Sequence, residues 1–276
     1  MNLDYYKGKS VLITGGSSGI GFAIAKQLVS SGAKVSILAR DEKKLLEAKN
    51  ELDMELLPSG QPVSILSADV SQAEQLAVVL GKHVLAHEVP DILINAAGVA
   101  RPGYVEEIPL EVFQWTMDID YQGTANMVKL LLLSFIARGS GHIINFSSLA
   151  GVIGVYGYSA YSGAKFAVKG FSDVLRAELK PKGIKVSVVF PPDTDTPQLA
   201  WENQYKPFET RHIAGSDKPM SAENVAEVVL KDAAKGKYAI VPGFEAKLMY
   251  FLATRLGNWV HPIMDILVKN AISKKP

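Results

Sequence analysis

The chain is 276 residues long, 48% hydrophobic and 21% charged, with 29 lysines and arginines against 28 aspartates and glutamates. That length suits one large α/β domain with a well-buried core, and the balanced charge gives no global field to recruit nucleic acid, so a small-molecule partner is expected. The absence of cysteine excludes disulfides, thiolate catalysis and sulfur-ligated metal, and it fits a reducing compartment.

The first residues, MNLDYYKGKSVLITGG, show no charged-then-apolar leader. The densest apolar stretch, Leu130–Leu133 with Phe135–Ala137 behind it, is about half a bilayer span. A cytoplasmic protein without a transmembrane helix is expected.

Along the chain, short β-branched runs alternate with segments of helical period. Val11–Thr14 precedes Ile20–Val29, Lys34–Leu38 precedes Glu42–Met54, and Val63–Ser67 precedes Gln72–His87. Ile92–Asn95 and Leu110–Ala137 follow, then Ile143–Phe146, Phe166–Leu179, Lys185–Phe190, Ala222–Ala234 and Tyr238–Val241. The strands are continuous apolar runs, as when helices cover both faces of a parallel sheet. This predicts an α/β fold: a single-domain, Rossmann-type, doubly wound parallel sheet flanked by helices. Residues 1–242 would form the nucleotide-binding domain, including a segment 191–220 at the substrate site, and 243–276 a helical tail. A capping box of Ser71 and Glu74 should start the third helix, and Gly32 and Gly183 fall where helices should stop.

The first strand runs into SVLITGGSSGIG. Glycines at 15, 19 and 21 let the backbone approach a pyrophosphate closely, and the turn through Ser17, Ser18 and Ile20 brings free helix N-terminal N–H groups to it. A dinucleotide should bind there. At the end of the second strand, about 20 residues on, a base suits the 2′-phosphate of NADP and an acid the ribose of NAD. Arg40 and Lys44 favour NADP(H); Asp41 could serve a ribose, but it also sits where an N-cap belongs.

The stretch GYSAYSGAKF poses a choice among tyrosines. A phenol near pKa 10 needs a neighbouring ammonium to become a useful acid or base at neutral pH, and on a helix that neighbour lies three or four positions away. Only Tyr161, with Lys165, meets this here, because Tyr156 and Tyr158 face Ala160 and Ser162. Tyr5 and Lys9 share the spacing but precede any plausible site. Ser148, ending the fifth strand, could steady a carbonyl oxygen while the phenol protonates it, with Ser147 the alternative.

Thr14–Gly21, Asn95–Gly98, Ser148 and Tyr161–Lys165 together resemble the short-chain dehydrogenases/reductases over nearly the whole chain. The resemblance implies Tyr161 as the general acid of carbonyl reduction, Lys165 on the nicotinamide ribose, and Ser148 orienting the substrate. It also implies adenine contacts at Asp69 and Val70, ribose contacts at Asn95, Ala96 and Gly98, and nicotinamide contacts in the segment of Pro191, Thr194 and Thr196. One position departs from the family: MDIDYQGT puts Asp120 where an asparagine is usual. A carboxylate beside Lys165 should hold the lysine charged, weaken its pull on Tyr161 and leave the phenol less acidic.

PPDTDTP at 191–197, the Glu-Asn-x-x-Lys-Pro-x-Glu-Thr run at 202–210, and ILARDEKKLLEAK after the second strand resemble the 3-ketodihydrosphingosine reductases. This implies NADPH-dependent reduction of the 3-keto group of a long-chain sphingoid base. By composition alone, the Pro/Asp/Thr run reads as a rigid surface turn with capping side chains. Another hydrophobic ketone, such as a steroid, a retinoid or another lipid, is the alternative substrate. A non-catalytic NADP-binding sensor or scaffold is the rival class, supported only by Asp120.

The tail gives two short apolar helical pieces split by Gly257 and Pro262, with Trp259 between them and lysines at the end. Such a tail can lie on a membrane surface, making the protein peripheral on the cytoplasmic face, or pack on the domain or a partner subunit. Leu110–Ala137 and the helix of Tyr161 are elements through which relatives often pair, so a homodimer or homotetramer is expected. His83 and His87 have zinc spacing without a third ligand, so they are read as an exposed polar face, with no metal in the mechanism.

Overall fold

The β-branched runs become the strands of one parallel sheet. A computed structural model describes residues 3–58, 60–213 and 218–275. Strands β1 (Ser10–Thr14), β2 (Lys34–Ala39), β3 (Ser64–Ser67), β4 (Ile92–Asn95), β5 (Gly141–Phe146) and β6 (Ile184–Val189) join a late strand, Ala239–Ile240, numbered β9. The order is β3-β2-β1-β4-β5-β6-β9, and every pairing is parallel. A separate two-stranded ladder pairs β7 (Thr194–Asp195) with β8 (Met220–Ser221). The chain reverses direction of winding between β1 and β4, and in open α/β sheets ligands bind in the crevice beyond the strand ends at that point.

Helices α1 (Gly19–Ser30), α2 (Glu42–Asp53) and α3 (Ala73–His87) follow the first three strands. Next come α4 (Leu110–Thr116), α5 (Gly123–Arg138), α6 (Ser159–Leu179), α7 (Pro197–Glu202), α8 (Phe208–Ile213) and α9 (Ala222–Ala234). The tail holds α10 (Phe244–Leu256) and α11 (Val260–Ile272). Alternation along β1 separates two cores: Val11 and Ile13 pack with Ile24, Leu28, Leu45 and Val229 of α1, α2 and α9, while Leu12 packs with Leu76, Met127, Leu131 and Leu175 of α3, α5 and α6. Helices therefore cover both faces, which is why the strands are largely apolar.

Four expectations change in detail. The capping box does not form: α3 starts one residue late, with Gln72 at its N-cap, because Asp69 Oδ1 takes both the Ser71 amide at 2.9 Å and the Ser71 hydroxyl at 2.7 Å. The helix expected over Leu110–Ala137 is interrupted by a π-helical turn, Met117–Gln122, which joins α4 to α5. In the tail the break falls at Gly257–Trp259, while Pro262 sits in the first turn of α11, where its missing N–H costs nothing. His83 is buried rather than on an exposed face, and burial beside His87 holds its pKa down to about 4. No group of metal-ligating side chains occurs among the described residues.

The tail is seated on the domain by Ala246, which packs with Val188, Phe190 and Val241, and by the rings of Phe190 and Tyr250 at 4.8 Å. At its far end Lys275 Nζ lies 3.1 Å from Glu209 Oε1 and 3.1 Å from the Tyr104 hydroxyl. Phe251, Ile263 and Ile266 remain exposed on these two helices, as does Trp259 in the break between them. Among the described residues, no helix is long and apolar enough to cross a membrane.

Candidate active site

The carboxyl ends of β1, β4, β5 and β6 open into a cavity of about 810 Å³. Its walls come from four places: the turn between β1 and α1, residues 96–98 after β4, residues 146–150 after β5, and the segment after β6. The N-terminal part of α6 supplies Tyr158, Tyr161 and Lys165, and the mouth is edged by Phe244 and Met249 of α10.

The turn after β1 is a backbone cradle. Gly15 has φ +69°, and a Cβ there would lie 2.9 Å from Ala96 O and from Ala97 Cα. At Gly21 a Cβ would lie 2.4 Å from Gly15 O, so only glycine lets α1 start against the turn. Ser18, at the N-cap of α1, gives the helix no side-chain cap, which leaves the first N–H groups for another acceptor. Thr196 lies over this turn, its Cγ2 3.2 Å from a Cβ at Gly19. Its hydroxyl also caps α7 by accepting from the Leu199 N–H at 3.2 Å, so the capping reading of the Pro/Asp/Thr run is correct as well.

Beside the cradle, Ser148, Tyr161 and Lys165 converge. The Ser148 hydroxyl lines the cavity with the Tyr161 phenol and accepts the Ala150 N–H at 3.2 Å. Lys165 Nζ lies 5.4 Å from the centre of the Tyr161 ring and donates to Phe146 O at 3.2 Å. Ser147 is spent elsewhere: buried, it donates to Lys165 O at 2.8 Å and ties β5 to α6. Tyr158 is also committed, its hydroxyl donating to Glu202 Oε2 at 2.7 Å.

Asp120 comes from the π-turn. Its carboxylate is fully buried, with Oδ2 3.2 Å from Lys165 Nζ and Oδ1 accepting the Val99 N–H at 2.7 Å. Burial pushes its pKa up, against the pull of Lys165 and of the Val99 N–H. The Tyr161 phenol is raised well above its ordinary value, first by loss of solvent, then by the charges of Glu202 and Asp120, with the Ser148 hydroxyl acting the other way.

Of the residues expected to hold a cofactor, Gly15, Ser18, Gly19, Ile20, Gly21, Ala96, Gly98, Tyr161, Lys165, Pro191, Thr194 and Thr196 line this cavity. Ser17, Arg40, Lys44, Asp69, Val70 and Asn95 lie outside its lining. Asn95 is turned into the sheet, donating to Asn145 Oδ1 at 2.8 Å, so its side chain is a strut between β4 and β5 and not a ribose contact. Arg40 and Asp69 stand together beyond the ends of β2 and β3, with NH1 3.6 Å from Oδ2. Val70 is buried against Gly123, and its carbonyl accepts from Asn126 at 2.9 Å. Asp41 caps α2, accepting the Lys44 N–H at 3.1 Å.

The family model for short chain dehydrogenases matches residues 9–206. The chain belongs to the short-chain dehydrogenase/reductase family. It is thus an oxidoreductase. Among curated members, it is similar to 3-ketodihydrosphingosine reductase of Bos taurus, with 39% identity over 84% of this chain and 70% of the relative. The enzyme of the same name from Dictyostelium discoideum is 36% identical over 95% of this chain and 83% of the relative. Among solved structures, a short-chain dehydrogenase from Streptomyces avermitilis superposes with TM-score 0.79 at 26% identity, covering 98% of this chain and 100% of that one.

Within this short-chain dehydrogenase fold, the segment after β6 holds what sequence reasoning missed. Glu202 lines the cavity, is buried, and accepts from Tyr158 and, at 2.8 Å, from Gln198. Lys206 is buried against Asp193 at 3.2 Å. Glu209 accepts from Tyr104 at 2.7 Å, and the Thr210 hydroxyl donates to Tyr156 O at 2.9 Å. The signal available was their order in the Glu-Asn-x-x-Lys-Pro-x-Glu-Thr run.

Proposed function

We propose that the protein uses NADPH to reduce the 3-keto group of 3-ketodihydrosphingosine to dihydrosphingosine. The observation that carries this reading is the convergence of Ser148, Tyr161 and Lys165 beside the glycine cradle, in a cavity that also takes in Ile153, Leu199, Phe244 and Met249. The cradle fits a dinucleotide: Gly15 and Gly21 give the pyrophosphate close backbone approach, and the uncapped start of α1 gives it N–H donors. Arg40 would hold the 2′-phosphate, and because Asp41 is occupied as a cap, no free acid at the end of β2 favours a bare ribose. When bound, NADPH supplies the hydride.

The chain's own residues do the rest. Ser148 donates to the ketone oxygen and fixes it against the Tyr161 phenol, which hands its proton to that oxygen as the carbonyl carbon is reduced. A positioned acid of this kind contributes roughly 10²–10⁴ in rate. Lys165 holds the nicotinamide ribose and the orientation of Tyr161, while Asp120 and Phe146 O fix the ammonium.

Turnover should be followed as NADPH consumption with 3-ketodihydrosphingosine in mixed micelles, with the product identified by mass spectrometry. Dihydrosphingosine formation that requires NADPH over NADH and is lost in Tyr161→Phe is expected. Tight NADPH binding without turnover would overturn the substrate assignment and favour a non-catalytic dinucleotide sensor.

We further propose that α10 and α11 rest on a membrane surface, on the cytoplasmic face, so that an amphiphilic ketone reaches the cavity from the lipid. Phe244 and Met249, at the mouth, are exposed, and Trp259 and Ile266 continue the apolar face. Full-length protein should float with liposomes; protein that stays at the bottom of the gradient removes this arrangement. Exposed Leu133 of α5 and Phe166 and Val174 of α6 support a homodimer or homotetramer, which light scattering of the purified protein tests.

A further inference from the structure

The keto group of the proposed substrate has an amine on the neighbouring carbon. If Tyr161 protonates the ketone oxygen, that amine must lie within a few bonds of the phenol, and an ammonium taken out of water there needs an acceptor. Glu202 is placed for this. It lines the same cavity, its carboxylate accepts from Tyr158 at 2.7 Å, and the Tyr158 ring is 5.7 Å from the ring of Tyr161.

Two other nearby carboxylates are engaged by cations, and a third on the cavity lining, Glu245, is exposed on α10. Asp120 faces Lys165 at 3.2 Å, behind the catalytic group, and Asp193 faces Lys206 at 3.2 Å. Both hydrogen bonds to Glu202 come from neutral donors, Tyr158 and Gln198. A carboxylate only 7% exposed and hydrogen-bonded by neutral groups is costly to keep ionised, and burial pushes its pKa up even though the Lys206 ammonium, paired to Asp193, acts the other way. An incoming ammonium would offset that cost, and each of the two fixed donors still leaves lone pairs on the carboxylate oxygens.

We infer that Glu202, oriented by Tyr158 and Gln198, is the subsite for the substrate's 2-amino group and makes the enzyme selective for α-aminoketones over plain ketones. The inference rests on the reductase reading above. It assigns the polar run of the 191–220 segment a recognition task in addition to its structural one.

The test compares two ketones, 3-ketodihydrosphingosine and the same long-chain hydroxyketone lacking the amine, on wild type, Glu202→Gln and Glu202→Asp. Wild type should prefer the aminoketone. Glu202→Gln should lower the ratio of kcat/KM for the aminoketone over the amine-free ketone roughly ten- to a hundred-fold, mostly through KM on the aminoketone, because its effect on the Tyr161 phenol is common to both ketones and cancels in the ratio. Glu202→Asp should recover part of the preference. Equal losses on both ketones would show a merely structural role and overturn the inference.

A wild-type measurement guards against a variant that does not fold. Dihydrosphingosine should compete with the aminoketone at least about ten-fold better than the diol lacking the amine, as a charge-assisted contact requires. Equal competition refutes the inference alone. If wild type binds NADPH but reduces neither ketone, the reductase reading falls, and this subsite falls with it.

Discussion

Replacing Asp120 with asparagine tests how the buried pair under Tyr161 sets its chemistry. Opposite charges 3.2 Å apart attract by about 5 kcal/mol at an effective dielectric of about 20. Burial outweighs this for the carboxyl, whose pKa is raised despite Lys165. The substitution therefore surrenders an attraction but also the cost of burying an anion. An asparagine oxygen can still accept the Val99 N–H, and Lys165 keeps Phe146 O. The net loss should stay below the roughly 3–5 kcal/mol of a broken buried pair. Lys165→Met, which leaves the carboxylate with only the Val99 N–H, should cost more. The signature lies in the pH profile. Asp120 raises the Tyr161 pKa, so removing its charge lowers it. Reduction needs the protonated phenol and fails as pH rises through that pKa; oxidation of the alcohol needs the phenolate and rises there. Both limbs of kcat/KM against pH should move to lower pH in Asp120→Asn. Limbs that stay in place or move upward, in a variant that folds, would refute the coupling.

Other consequences are independent of that pair. In Gly21→Ala the new Cβ would sit 2.4 Å from Gly15 O, a backbone atom that cannot rotate away, so dinucleotide affinity should fall at least about a hundred-fold while circular dichroism stays native; unchanged affinity would contradict the cradle. Arg40→Ala should weaken NADPH by about ten-fold, roughly 1.4 kcal/mol, and leave NADH unchanged in a fluorescence titration; equal effects on both would remove Arg40 from the 2′-phosphate. The buried His142 ring, 2.8 Å from Ser187 Oγ, has its pKa held down to about 3, chiefly by burial and then by Lys185 and Lys9. A depressed folded pKa means that the neutral ring's stability is complete above the ordinary value near 6.5 and is lost as pH falls toward 3, about 3 kcal/mol of it by pH 4. Urea midpoints at pH 7 and pH 4 should differ much less in His142→Asn than in wild type, and equal differences would refute this source of acid sensitivity.

The fold was legible because its signals are local and repeated. Most strand positions are apolar and the helices carry apolar stripes, and the bounds of β4 and α9 agree to the residue. Ser148, Tyr161 and Lys165 were legible because chemistry demands those groups at fixed spacing. The capping box failed because Asp69, two residues before Ser71, competes for its donors, which a pattern of four positions does not register. The π-turn was hidden for a related reason: its composition is helical, and what distinguishes it is the Asp120 carboxylate taken inward by the Val99 N–H, twenty-one residues away. Asn95 misled because the same residue type that contacts a ribose also ties adjacent strands together. Glu202 was invisible as a site because an acid in a six-residue helix looks like a solvated face until Tyr158, forty-four residues earlier, is placed against it.

The segment after β6 shows why such residues matter for selectivity. A segment that opened and closed over the substrate would need few buried ties, since local opening free energy is set by the contacts that must break. Here four polar side chains of the run, Glu202, Lys206, Glu209 and Thr210, are buried and bonded to Tyr158, Asp193, Tyr104 with Lys275, and Tyr156 O. These partners lie on the loop after β4, the approach to α6, the loop after β6 and the end of the tail, so opening would break contacts in several places at once. Among the described residues, these ties hold the stretch as a wall of the cavity at several points. A wall held in this way discriminates by what it presents and not by closure around whatever enters. Its chemistry next to Tyr161 is a carboxylate and the two neutral donors bonded to it. On the proposed reading, a ketone that is cationic near the carbonyl would bring Glu202 a cation in contact, which Lys206, paired to Asp193, does not supply, and a steroid or retinoid ketone would bring none.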